Sequence, residues 1–202
     1  MLFIFVEDEL SKHVIYKMLD HVKSTTKKEF PERIGFVKGG FGNIRREMKK
    51  YNALAHSAHV IVLIDLNSDV ECAPLKLGEY LHFTKNPNLI FRIAVREIES
   101  WLLADRENFA EFMGIGVNGI PTQPEQIDDP KNLIFALARK SRKKVIKEDI
   151  PPLLGSLAKT GKNYNGRLID FVHNYWDIDR ARRVLSRKSL DRAMIALENM
   201  RT

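Results

Sequence analysis

The chain has 202 residues, 44% of them apolar and 29% charged, which suits one large globular domain or a medium domain with a helical appendage. No apolar run approaches the ~20 residues a membrane span needs, and the apolar N-terminus lacks a basic leader and is broken by Glu7 and Asp8, which reads against both a membrane protein and a signal peptide. The single cysteine, Cys72, has no partner for an internal disulfide and fits a reducing cytoplasm, and a formal net charge of +7 favours polyanionic partners.

Residues 2–6 read as a buried strand that ends at Glu7. Leu10, Val14, Met18 and Val22 recur about four apart, so 7–23 reads as an amphipathic helix. Residues 24–32 are polar, contain Pro31 and read as a loop. A second strand is expected over 33–38. Gly39, Gly40 and Gly42 then make a tight turn into a helix over 43–56; the run GGFGNI matches neither a GxxxxGK[ST] phosphate loop nor a dinucleotide fingerprint. Val60 to Ile64 are all apolar and Asp65 closes them, the pattern of a strand buried on both faces that delivers a carboxylate to its C-terminal end. A loop with Pro74 and a helix over 75–83 are expected next, then a turn at Asn86-Pro87 and a fourth strand over 89–95. From Arg96 the pattern turns helical: Ile98, Trp101, Leu102 and Asp105 lie at i, i+3, i+4 and i+7, and Asp105 is placed to cap a short helix over 108–113. Residues 114–130 are loop-rich, and helices are expected near 131–141, 145–159, 164–173, 177–185 and 189–200. The β-α alternation over residues 1–104 predicts an α/β domain with a mainly parallel sheet of about four strands flanked by helices, and residues 105–202 read as a helical C-terminal extension.

Three apolar strands each end in acid: Glu7 after the first, Asp65 with Asp69 after the third, Glu97 and Glu99 after the fourth. Carboxylates that converge on one rim repel unless something neutralises them. Hard oxygen ligands suit Mg²⁺ or Mn²⁺, and such ions activate water and stabilise a leaving oxygen in phosphodiester cleavage. Glu7, Asp65 and Glu97 are the expected catalytic carboxylates, with Asp69, Glu99 and the amide oxygen of Asn67 completing the ligand set. Competing local roles are helix capping for Glu7 and Asp8 and a turn for Asp69. The six histidines form no metal-binding spacing. Two basic clusters, RKSRKK and RARR, lie in the second half, and Arg139, Arg142, Lys143, Lys144, Arg182 and Arg183 are candidate phosphate contacts.

Over about residues 1–140, the acid after the first strand (FVEDELSKH), the GG.GN turn after the second and LIDLNSD after the third resemble a Toprim domain, and REIESWLLAD with the later IDDPKNL resembles a group of compact Toprim-like proteins. They are similar to the Toprim nuclease half of OLD-family proteins, met in bacterial anti-phage systems beside an ATPase. The resemblance implies a Mg²⁺- or Mn²⁺-dependent nuclease acting on DNA or RNA, with Glu7 and Asp65 in metal-binding roles and an ATPase subunit as partner. The family's DxD motif reads Asp65-Leu66-Asn67 here, without its second acid. Two other readings stand beside it. One is a phospho-acceptor receiver-like domain, with Asp65 as acceptor; the other is a non-catalytic module that binds nucleic acid or a partner through its basic helices.

Overall fold

The computed structural model describes residues 1–66, 78, 80–185 and 188–201. In chain order the elements are β1 (Leu2–Val6), α1 (Glu9–Thr26), β2 (Arg33–Val37), α2 (Phe41–Leu54), β3 (His59–Asp65), β4 (Leu89–Ala94), α3 (Ile98–Leu103), α4 (Arg106–Met113), α5 (Pro130–Arg139), α6 (Lys144–Asp149), α7 (Tyr164–Asn174), α8 (Ile178–Val184) and α9 (Ser189–Glu198). Asn67, Asp69, Cys72, the loop with Pro74 and residues 75–77 and 79 of the helix expected over 75–83 lie outside the described residues; Gly78 and Tyr80 are helical, and residues 81–83 are not. No helix among the described residues is long and apolar enough to cross a membrane.

The fold is α/β, with a four-stranded, all-parallel sheet in the order β2-β1-β3-β4. The unbroken apolar run of β3 follows from its place inside the sheet, paired with β1 on one side and β4 on the other. On one face, Phe5, Val60, Val62, Ile64, Phe91 and Ile93 form a core with Ile44, Met48 and Tyr51 of α2. α1 packs against β1 and β2 and buries Leu10, Val14, Ile15, Met18, Leu19 and Val22. It begins at Glu9, two residues later than the periodicity suggests. Asp8 is extended at φ −143°, and its carboxylate accepts the Ser11 N–H at 2.8 Å as an N-cap. Glu7 is thereby left outside the helix.

The chain forms two compact units: Met1–Val95 together with Arg187–Thr202, and Arg96–Ser186. Sequence pattern divides the chain at 104/105; the units divide at 95/96, and the final helix α9 belongs with the sheet. The second unit is helical, with an aromatic core in which Phe171 meets Phe109 at 5.0 Å and Phe112 at 5.4 Å between ring centroids.

Two expectations in this unit are corrected. The helix expected over 145–159 stops at Asp149, because Pro151 and Pro152 lack the N–H a continuing helix needs. The chain instead folds back, and the Gly161 and Asn163 N–H groups donate to Ile150 O at 3.0 Å and Asp149 O at 3.1 Å. Asp105 occupies the N-cap position of α4 but makes no side-chain cap bond. Its buried carboxylate accepts the Asp177 N–H at 2.7 Å and Asn108 Nδ2 at 2.9 Å, with the Arg180 guanidinium 3.6 Å away. Asp105 therefore fastens the start of α4 to the start of α8, and burial pushes its carboxyl above the usual range.

Candidate functional site

Strand order locates the site. The chain passes from β1 to β2 on one side, then crosses to β3 on the other side of β1. The β1/β3 boundary is the switch point at which open parallel sheets leave a crevice at their carboxyl ends. Glu7 is the first residue beyond β1, and Asp65 is the last residue of β3. The Asp65 N–H donates to Glu7 Oε1 at 2.9 Å, so the two acids are neighbours, with Asp65 only 7% exposed. The adjoining rim is fixed by backbone bonds: Lys38 N–H to Val6 O at 2.9 Å and Gly39 N–H to Glu7 O at 3.0 Å. Gly39 and Gly40 sit at φ +67° and +120°, conformations that glycine adopts without steric penalty, and Gly40 leads into α2.

Beside this rim, Val37, Lys38, Asn43, Arg46, Glu47 and Lys50 line an open cleft of about 490 Å³. Glu47 is held by Lys38 Nζ at 2.6 Å and by the Tyr51 hydroxyl, which donates at 2.6 Å. These two partners hold its carboxyl below the usual range, while burial and the Glu47 charge push the Tyr51 phenol up.

The second unit carries the other acid pair. Glu97 precedes α3 and Glu99 lies in its first turn, 1% exposed. The Tyr164 hydroxyl donates to Glu99 Oε1 at 2.7 Å. Lys131 Nζ stands 3.4 Å from Glu99 Oε1 and 3.8 Å from Glu97 Oε1. The Oε2 atoms of both glutamates are buried without a hydrogen-bond partner among the described residues. Burial, then the charge of Glu99, push Glu97 up to about 7, with Lys131 opposing. Lys131 and Tyr164 are absent from the candidates read from sequence. Lys131 falls inside IDDPKNL, yet nothing local to Lys131 or Tyr164 marks the acid each one meets.

Among the described residues, no group of three or more His, Cys, Asp or Glu side chains is arranged to hold a metal ion. Asn67 and Asp69, the remaining ligands expected from sequence, lie outside the described residues. Of the basic candidates, Arg139, Arg142, Lys144 and Arg183 are exposed and Arg182 is half-buried. Lys143 is committed elsewhere: its ammonium donates to Glu111 O at 2.9 Å and Phe112 O at 3.0 Å, the last turn of α4, where a cation is favoured. Lys144 pairs at the surface with Glu148 at 3.7 Å.

A family model described as "Domain of unknown function (DUF4276)" matches residues 3–193. No curated protein and no solved structure matches the chain.

Proposed function

The chain belongs to the family described as Domain of unknown function (DUF4276), and from its site geometry we propose that it is a divalent-metal-dependent nuclease of Toprim type, hydrolysing phosphodiester bonds of DNA or RNA. One observation carries the reading: the acids that end β1 and β3, Glu7 and Asp65, meet at the switch point of the parallel sheet. Their oxygens are the hard donors that Mg²⁺ or Mn²⁺ takes, and a cation at this rim would offset the charge of the two acids. A bound ion supplies charge neutralisation at the phosphate and a water of lowered pKa. Glu7, through its bond to the Asp65 N–H, holds the end of β3 in register with the end of β1. Asp8 is engaged in capping α1, which weighs against the phospho-acceptor reading.

The test is Asp65→Asn. The variant is expected to lose Mn²⁺ binding by calorimetry and all cleavage of plasmid, single-stranded DNA and transfer RNA. Its melting temperature without metal should stay at or slightly above that of the wild type, because a carboxylate repulsion is relieved. An equal rise in melting temperature on adding Mn²⁺ to both proteins would remove Asp65 from the ligand set and sink the proposal.

A further inference from the structure

We propose that the β2–α2 edge of the first unit binds single-stranded nucleic acid. The inference rests on the nuclease reading for its substrate class and narrows that class to unpaired strands. α2 exposes four cations, Arg45, Arg46, Lys49 and Lys50, while Lys38 at the end of β2 is paired with Glu47. The one acid among them, Glu47, is already neutralised by Lys38 and hydrogen-bonded by Tyr51. α2 also begins without an acidic residue or a side-chain cap, so its positive end adds to the field. The cleft lined by Lys38, Asn43, Arg46 and Lys50 runs along this cationic face, and the Gly39 N–H next to it is bonded to Glu7 O. A phosphate backbone drawn into the cleft thus lies beside the rim that carries Glu7.

Charge alone does not distinguish single strands from duplex; the aromatic side chains do. β2 is an edge strand, and Phe36 on it is 41% exposed, while Phe41 at the start of α2 is 45% exposed. Phe36 stacks on Phe5 at 5.2 Å and 16°, and Phe5 stacks on Tyr51 at 3.9 Å and 17°. The exposed ring is backed by a buried ladder, so little side-chain freedom remains to be lost when a base stacks on it. Exposed rings beside a cationic groove are the arrangement that captures unpaired bases, whose faces a duplex hides.

The experiment is fluorescence anisotropy in EDTA with labelled oligothymidine of about 12 nucleotides and with a duplex of equal length. The single strand should bind at least about tenfold more tightly than the duplex. Arg46→Glu with Lys50→Glu should weaken binding and reduce the salt slope by about 1.4, two contacts at ~0.7 each. Phe36→Ala should lose about tenfold with the slope unchanged. Phe41→Ala repeats the stacking test outside the Phe5–Tyr51 ladder, and circular-dichroism melts confirm folding. Equal affinity for duplex overturns the inference, as does an unchanged slope after charge reversal. So does a Phe36→Ala variant that turns a dimer into a monomer with binding intact, which would make this edge a contact between copies. If binding behaves as expected but Mn²⁺ leaves the oligothymidine, plasmid and transfer RNA all uncut, the nuclease reading fails and the surface stands. If cleavage is confined to duplex, the reverse holds.

Discussion

A buried carboxylate short of partners holds its proton to higher pH, and Glu97 is such a group. Its folded-state pKa is about 7 against an ordinary 4.5, chiefly through burial. Between those values the folded chain keeps a proton that the unfolded chain has released. The stability contributed by this group is therefore full below pH 4.5 and is lost as pH rises through about 7. Glu97→Gln should flatten the pH profile of stability across this window and be the more stable protein at pH 8, by at most about 3 kcal/mol. Lys131→Met removes the cation that opposes the shift, so it should extend the decline to higher pH. Urea denaturation at a series of pH values measures both; a Glu97→Gln profile identical to wild type would show that Glu97 titrates normally.

Two aspartates at helix starts separate what capping contributes from what burial contributes. Asp8 caps α1 from a half-buried position through one bond to Ser11, and Asp8→Ala should destabilise by about 1 kcal/mol. Asp105 sits at the same position relative to α4, yet it is fully buried and satisfies groups on a distant helix start. Asp105→Ala strands the Asp177 N–H and removes the buried carboxylate beside Arg180, which keeps the more exposed Glu107 and Asp177 at 3.9 Å, so a loss of about 2–4 kcal/mol is expected. Equilibrium denaturation of the two variants should order them with Asp105→Ala clearly the weaker; the reverse order would make Asp105 an ordinary cap. At the same scale, the Pro151-Pro152 pair decides where α6 ends, and the apolar spacing beyond it is overridden.

The sheet unit closes only with the last stretch of the chain. α9 packs against β4 and α1 and buries Leu190, Ala193, Met194 and Leu197. The Val95 N–H donates to Ser189 Oγ at 3.3 Å, and Lys28 Nζ donates to Met200 O at 2.7 Å. Each large apolar side chain buried there contributes about 1.5–3 kcal/mol. A chain ended at residue 186 should therefore lose the melting transition of the sheet unit. The near-ultraviolet signal of the Phe109–Phe171 core in the other unit should persist. A truncated protein that melts like the full chain would make α9 dispensable.

The parallel α/β architecture was legible in the sequence because burial on both faces writes itself locally, as the run Val60 to Ile64 ending in Asp65. So were Glu7 and Asp65 as candidates, since each acid interrupts an apolar strand. Strand order was not legible: β1 beside β3 is a choice among non-local pairings, and only that choice makes Glu7 and Asp65 neighbours. Tertiary packing also brought Lys131 and Tyr164 to Glu99, tied Lys143 to the end of α4, and joined α9 to the sheet. Periodicity records which residues leave water, whereas the partner each one meets depends on long-range packing that no local pattern encodes.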